Sequence, residues 1–266
     1  MISQTLISSY FITGAACLIL PAAAIVVWKL KSKAPLSPYF AGAGIFVLFV
    51  LLIEGLINNL LLTTGNAFGN KILASLPLYA LYGGLMAGLF EETGRLVAYK
   101  VFLRRHYQPE TAITYGLGHG GIECVLVVGV SAVTYGLNAL ALAGGLPEGA
   151  DPAVQNLYAT LVAGSAAPLG PLWAILERFS AMIFHISASV IMFKAVSVPG
   201  KMWLYPVAIL LHTLVNAVGV IASGLISSIF VVELIILALS LIIGYFALKM
   251  YKNMCKTMPR DLPDFS

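Results

Sequence analysis

Charged residues are scarce in this chain, and their scarcity excludes a soluble globular protein. Asp, Glu, Lys and Arg make up 10% of the 266 residues, whereas soluble domains carry about 25%. Apolar residues make up 60%, and apolar stretches of about 20 residues, each long enough to cross a bilayer as a helix, recur along the chain. The composition therefore predicts an all-α protein embedded in a membrane bilayer.

Paired cysteines and basic stripes are also missing. The three cysteines, Cys17, Cys124 and Cys255, show no paired spacing and no CxxC motif, which excludes a disulfide framework and a thiolate zinc site. The formal net charge of +4 forms no basic stripe, which excludes nucleic-acid binding. No repeat or linker divides the chain, so we expect a single transmembrane helical domain over residues 1–266.

Seven apolar segments are predicted to span the membrane as a helical bundle. Their approximate limits are 7–28, 39–62, 77–100, 111–135, 171–194, 203–222 and 229–248. Of the 15 Lys and Arg residues, 12 fall beyond the ends of these spans on one side, and Lys71 alone falls on the other. Because cationic loops stay cytoplasmic, we predict an N-terminus outside, a C-terminus inside, and a short cytoplasmic tail over 257–266.

Ionisable residues recur inside these apolar segments, although each charge at mid-helix costs about 2.5–3.5 kcal/mol. They are Glu54, Glu91, Glu92, Arg95, Glu123, Glu177, Arg178, Glu233, His119, His185 and His212. Four of them lie about nine residues from the cytoplasmic ends of four different spans, a shared depth of about 13 Å. These four, which we call the polar layer, are Glu91, His119, His185 and His212.

Helical spacing directs the polar residues of each span to one face, because residues four apart lie on the same side. The resulting sets are His119 with Glu123, His212 with Asn216, and Arg178 with His185 and Ser189. Structural roles are expected for the two arginines. Arg95 would clamp Glu91 or Glu92, and Arg178 would pair with Glu177 or a carboxylate on another helix. We also expect Glu54 and Glu233 to be structural.

Two hydrolytic mechanisms fit three histidines and several carboxylates in a semi-dry pocket. In the first, Glu91 and His119 hold and deprotonate a water that attacks an amide carbonyl. The developing oxyanion then accepts hydrogen bonds from His212 and Asn216. In the second, a zinc ion activates the water. Its candidate ligands are His119, His185 and His212 with Glu123 or Glu91. The residues alone leave both mechanisms open.

Four motifs follow one another along the predicted helices: EETGR (91–95), YGLGHGGIE (115–123), ERFSAMIFHISAS (177–189) and HTLVN (212–216). Together they resemble the YhfC family of bacterial membrane peptidases. That family is related to the CPBP superfamily, which contains the type II CAAX prenyl endopeptidases and bacteriocin-processing proteases. The resemblance covers four of the seven predicted helices and implies a catalytic core over about 77–222.

The resemblance also implies a role for each matching residue. Glu91 corresponds to the water-activating base, with His119 as its partner. His212 and Asn216 correspond to the pair that stabilises the oxyanion. This sequence has EExxR where the endopeptidases have EExxxR, so the base is either Glu91 or Glu92.

These observations predict a multi-pass protease of the bacterial plasma membrane. We expect its substrate to be a membrane-associated or lipidated peptide or protein, cleaved in the cytoplasmic half of the bilayer. Water must reach the polar layer, so we expect a polar cavity that opens to the cytoplasm. His185 and Glu123 resemble additions found in YhfC-type relatives, and they keep the zinc-dependent mechanism open. The oligomeric state is not determined by these patterns.

A proton-coupled transporter and a non-catalytic scaffold are the alternatives. Buried Glu, His and Arg chains also mark proton relays, and Gly-rich helices also mark transport sites. The lack of two-fold internal repetition counts against transport, as does the gathering of the polar groups at one depth. A scaffold or immunity-type binding protein would keep the polar layer for stability alone.

Overall fold

The computed structural model describes residues 1–63 and 65–258, and within these ranges the regular secondary structure is helical. In chain order the helices are α1 (Gln4–Ser32), α2 (Ser37–Leu62), α3 (Ala67–Leu73), α4 (Leu76–Phe102), α5 (Glu110–Ala141), α6 (Pro152–Gly164), α7 (Gly170–Ser197), α8 (Leu204–Leu225) and α9 (Ile229–Thr257). Most of the predicted tail, from residue 259 onward, lies outside the described residues.

The long helices confirm the prediction of an all-α, multi-pass membrane protein. Six of those described are long and apolar enough to cross a membrane by themselves. A seventh span results if α3 and α4, which meet at a bend of 108°, are counted together. The charged residues Glu91, Glu92 and Arg95 lower the hydropathy of α4, which explains why its predicted span is the least apolar of the seven.

Local sequence signals set where several helices begin. The Ser3 hydroxyl accepts a hydrogen bond from the Leu6 amide at the start of α1, and Asp151 caps α6 in the same way through the Val154 amide. Such caps satisfy amide groups that have no partner within the helix. Pro77 lies in the first turn of α4, where its missing amide hydrogen has no cost.

Close helix packing brings the site-bearing helices together at glycines. The main pairs are α4 with α8, α7 with α9, α2 with α5, and α5 with α7. A Cβ atom at Gly84 of α4 would lie 2.6 Å from the carbonyl oxygen of Thr213 on α8. A Cβ at Gly116 of α5 would lie equally close, 2.6 Å, to the Cα of Ile186 on α7. Small residues of this kind let membrane helices approach backbone to backbone.

Adjacent glycines on α4 allow this packing to be tested with a matched pair of variants. We expect Gly84→Ala to lower the free energy of unfolding by about 1–3 kcal/mol, because the added methyl group overpacks the α4–α8 contact. At Gly83 a Cβ would meet nothing within 4 Å, so Gly83→Ala is expected to be neutral or slightly stabilising. Thermal unfolding of the detergent-purified variants measures both. Equal melting temperatures would contradict the packing argument.

Candidate active site

The structure brings the four residues of the polar layer into contact, although they lie on four helices. His119 Nε2 and Glu91 Oε2 are hydrogen-bonded at 2.9 Å, and His185 Nδ1 lies 3.7 Å from the same oxygen. His212 Nε2 lies 3.6 Å from the other oxygen, Glu91 Oε1. All four side chains are buried. Glu91 therefore forms the centre of the site, with a histidine from each of three neighbouring helices around it.

Two further glutamates contact the far ring nitrogens of two of these histidines. His212 Nδ1 is hydrogen-bonded to Glu92 Oε1 at 2.9 Å, and His185 Nε2 lies 2.6 Å from Glu123 Oε2. Each imidazole therefore directs its remaining nitrogen toward Glu91. A carboxylate in this position fixes the orientation and tautomer of an imidazole and raises its basicity as a ligand.

Two arginines neutralise these outer glutamates. Arg95 is fully buried and pairs with Glu92, and its Nη2 also lies 3.3 Å from His185 Nδ1. Because a guanidinium can only donate, His185 Nδ1 accepts this hydrogen bond, which leaves the proton of a neutral ring on Nε2, next to Glu123. Arg178 Nη1 donates to Glu123 Oε1 at 2.7 Å.

The other predicted site residues occupy different positions. Arg178 also pairs with its neighbour Glu177. Asn216 is half-buried and lines a cavity next to His212. Ser189 is buried, and its hydroxyl donates to the carbonyl oxygen of His185 at 2.6 Å. Ser189 therefore supports the backbone of α7 below His185, and its side chain takes no part in the contacts around Glu91.

A cavity of about 600 Å³ begins at the polar layer. Glu91, His185 and His212 form its floor, and α8 lines it as far as Ser223, near the C-terminal end of that helix. Other lining residues also lie toward the lysine-poor ends of their helices: Glu54, Gly83, Glu177, Val232 and Glu233. The cavity therefore runs toward the lysine-poor helix ends, whereas we had expected it to open on the lysine-rich side, which the charges predict to be cytoplasmic.

Packed side chains close the lysine-rich side of the polar layer. This cluster, which we call the inner plug, consists of Tyr99, Tyr115, Met192 and Phe193, each at most 3% exposed. The ring centroid of Tyr99 lies 5.0 Å from that of Tyr115 and 5.5 Å from that of Phe193. Tyr115 also stacks on His119 at 6.0 Å. The polar layer is therefore in contact with the cavity on the opposite side, away from the lysine-rich helix ends.

The residues of the polar layer fit a divalent metal ion. Glu91, His119 and His185 each offer one ligand atom, and these atoms all lie within 4.8 Å of one another. One carboxylate with imidazoles is a typical donor set for zinc. His119 Nδ1 is buried and has no hydrogen-bond partner among the residues that the structure describes. Glu123, another candidate ligand, instead contacts the far nitrogen of His185.

Sequence reasoning did not assign Glu54 and Glu233 to the site, yet both line the cavity. It also missed the aromatic rings that hold the histidines in place. The ring centroid of Phe46 lies 5.3 Å from that of His119, and that of Phe184 lies 4.8 Å from that of His212. Phe46 carries no motif that distinguishes it from other membrane-spanning residues. Phe184 lies within ERFSAMIFHISAS (177–189), but an apolar side chain in that motif gave no indication that it packs on His212.

Comparisons with known proteins place the site within a matched region. A family model described as "YhfC intramembrane metalloprotease" matches residues 16–236, which include the whole polar layer. The chain is also 30% identical over 260 residues to the uncharacterized membrane protein YhfC of Bacillus subtilis (strain 168), an alignment that covers 94% of this chain and 98% of that protein. No solved structure matches the chain.

Proposed function

The chain belongs to the YhfC intramembrane metalloprotease family, and we propose that its polar layer is the metal-dependent catalytic centre of an intramembrane endopeptidase. The observation that carries this proposal is the convergence of three ligand atoms, from Glu91, His119 and His185, within 4.8 Å of one another. They come from α4, α5 and α7, and two of them, Glu91 and His185, lie at the floor of a cavity that can admit water and a peptide.

In this proposal the ligands and their supporting residues have separate tasks. Glu91, His119 and His185 would hold a zinc-type ion, for which Nδ1 of His185 would give up the hydrogen bond that it accepts from Arg95. Such an ion, when bound, polarises a water and the scissile carbonyl. Glu123 contacts the far nitrogen of His185 and would keep that ring in the orientation of a ligand. Arg95 neutralises Glu92, so Glu92, the second glutamate of EETGR, would support the neighbouring side chains. Glu91, the first, would contact the reacting atoms.

His212 and Asn216 are proposed to stabilise the oxyanion that develops on the scissile carbonyl. The Glu92 carboxylate accepts a hydrogen bond from Nδ1–H of His212, so Nε2, which faces Glu91 at the cavity floor, donates to the oxyanion when the ring is the doubly protonated imidazolium. Asn216 lies one helical turn further along α8, on the wall of the same cavity. Two donors fixed in a semi-dry site can stabilise developing negative charge without reorganisation. A metal-free alternative keeps these roles and uses Glu91 as the general base.

The site also constrains where a substrate would be cut. Glu91 lies eleven residues before Phe102 at the lysine-rich end of α4, which corresponds to about 16 Å along the helix. We propose that the scissile bond is held at this depth, close to the midplane of a hydrocarbon core about 30 Å thick, at the inner limit of the half predicted to be cytoplasmic. The substrate would be a membrane-associated or lipidated peptide that enters through the cavity. Residues of about 77–222 would form the catalytic core of the enzyme.

The inner plug counts against an open channel. A channel must continue on both sides of a binding site, whereas the lysine-rich side of the polar layer is filled by Tyr99, Tyr115, Met192 and Phe193. A transporter that opens to one side at a time would be distinguished by solute flux into liposomes without peptide hydrolysis.

Metal content tests the proposal directly. We expect detergent-purified protein to hold about one zinc ion per chain and His119→Ala and His185→Ala to lose it, because each variant removes one of three ligands. His106→Ala is the matched control, since His106 lies outside the polar layer and contacts Ser37 at 2.9 Å. Elemental analysis of the protein peak gives the stoichiometry. Hydrolysis by protein without bound metal would support Glu91 as a general base instead.

A further inference from the structure

Two glutamates in the cavity wall take no part in the proposed reaction. Glu54 belongs to α2 and Glu233 to α9, and both line the cavity above the polar layer. They are 7% and 8% exposed, respectively. The Oε2 atom of each is buried and has no hydrogen-bond partner within residues 1–63 and 65–258. The sequence led us to expect structural roles for both glutamates; Oε1 of Glu54 has such a contact with Asn58, but the two Oε2 atoms have none within the described residues.

The surroundings of Glu54 hold its carboxylate in place while leaving one oxygen free. Asn58 Nδ2 donates to Glu54 Oε1 at 3.2 Å, and the Tyr82 hydroxyl donates to Asn58 Oδ1 at 2.7 Å. This chain of hydrogen bonds orients the carboxylate through one oxygen. A buried polar atom that remains unpaired in a membrane protein is costly, and such atoms commonly mark a contact with a ligand.

The cavity carries an excess of negative groups. Five glutamates line it: Glu54, Glu91, Glu123, Glu177 and Glu233. Among the described lining residues the one arginine or lysine is Arg178. Its guanidinium is already shared between Glu123 and Glu177, so it is not available to Glu54 or Glu233. The upper part of the cavity is therefore complementary to a positively charged group.

We propose that Glu54 and Glu233 form a subsite for a basic side chain, lysine or arginine, of the peptide substrate. This inference rests on the proposed function, because it takes the polar layer as the place of cleavage. An ammonium or guanidinium group entering the cavity would pair with these carboxylates, and a rotation of either side chain would present its unpaired Oε2 atom as a charge-assisted acceptor. The subsite would thus select substrates whose membrane segment contains a cation.

The position of the subsite sets the place of the basic residue in the substrate. Glu233 is in the first turns of α9, whereas the polar layer lies deeper in the bundle. From the helical rise, the two levels are separated by roughly 10 Å. An extended peptide covers this distance in about three residues. The basic residue would therefore lie a few residues from the scissile bond, on the lysine-poor side.

The test compares the binding affinities of paired peptides for the Glu91→Gln protein, in which cleavage is blocked. The probes are N-acetylated fluorescent peptides of alanine and leucine, about twelve residues long, that carry either lysine or norleucine at one of four successive central positions. We expect the lysine peptide to bind about tenfold more tightly at one position at least. Adding Glu54→Gln or Glu233→Gln should reduce this preference to less than about threefold.

Controls separate charge recognition from loss of structure. Glu148→Gln removes an exposed glutamate from a loop and is expected to leave the lysine preference unchanged. Glu233→Lys should shift the preference toward a peptide with glutamate at the same position, a reversal that an unfolded protein cannot produce. Each variant is compared with the Glu91→Gln protein by melting temperature and by size-exclusion profile.

Two results would overturn the proposal. One is equal binding of the lysine and norleucine peptides, or binding of neither, at all four positions. The other is a lysine preference that persists in the Glu54→Gln/Glu233→Gln double variant. Because binding is measured without cleavage, a protein that binds the lysine peptide selectively but never hydrolyses a peptide would refute the protease and leave the subsite intact.

Discussion

Glu91→Gln is expected to lower the rate of peptide hydrolysis by roughly a thousandfold while the protein remains folded. Both oxygens of Glu91 face histidines: Oε2 contacts His119 and lies near His185, and Oε1 faces His212. Glutamine has the same shape, but it replaces one of these oxygens by an amide group that can only donate. The variant therefore loses a metal ligand or, in the metal-free alternative, the general base.

The structure also explains why this substitution should spare the fold. The nearest buried cation, Arg95, is neutralised by Glu92, so removing the charge of Glu91 does not leave that guanidinium unpaired. The measurement is the rate at which wild-type and variant proteins hydrolyse a fluorogenic membrane peptide, once their melting temperatures have been shown to be equal. Glu148→Gln serves as the control with full activity. Cleavage at the wild-type rate by Glu91→Gln would exclude Glu91 as the reacting carboxylate.

Glu92→Ala is expected to lower the stability of the fold, in contrast to Glu91→Gln, which is expected to lower activity alone. Glu92 and Arg95 are both 0% exposed, and Glu92 also holds His212 Nδ1. Removing one partner of a buried ion pair leaves an uncompensated charge and typically costs about 3–5 kcal/mol. We therefore expect a marked fall in melting temperature, and low yields of folded protein in detergent.

A paired substitution distinguishes lost ion pairing from lost packing. Replacing both members, as in Glu92→Leu with Arg95→Met, removes the charges together and is expected to recover most of the stability, since apolar pairs of similar volume can substitute for a buried ion pair. The double variant should still hydrolyse poorly, because His212 would lack the carboxylate that orients it. A single Glu92→Ala variant that melts like wild type would contradict this account of the motif.

The adjacent glutamates of EETGR therefore have separate tasks that the sequence could not separate. The spacing to Arg95 left either one as the base. In the folded chain Arg95 pairs with the second, Glu92, and the first, Glu91, faces the three histidines. The choice depends on the rotation of α4 about its axis, which is fixed by its packing against α8.

Depth along the membrane normal was predictable, because it depends on the helical rise alone. Counting residues from the ends of apolar segments placed Glu91, His119, His185 and His212 at one level, and the structure brings them within contact distance. The hydropathy of the chain likewise predicted the long helices. Both quantities are properties of single helices and require no knowledge of how the helices pack.

Helical phase was less predictable where the helices depart from regular α geometry. A π-helical stretch covers Phe46–Glu54, and another, Cys124–Gly129, follows Glu123 directly. Each extra residue in a turn rotates the following side chains relative to an ideal α-helix. For this reason the four-residue spacing rule gave no indication that Glu54 lines the cavity. The direction of the cavity was also not predictable, since it depends on packing between several helices.

The position of the inner plug determines with which side of the membrane the site would exchange water, metal ions and products. If the lysine-rich helix ends face the cytosol, as their charges predict, then the catalytic water, the ion and the severed fragments exchange with the medium beyond the outer leaflet. Proteolysis would then depend on the salinity, acidity and trace-metal supply of the habitat, while cytosolic homeostasis would have little direct influence on it. The protease would then lie within the membrane, while conditions outside the cell would control its activity.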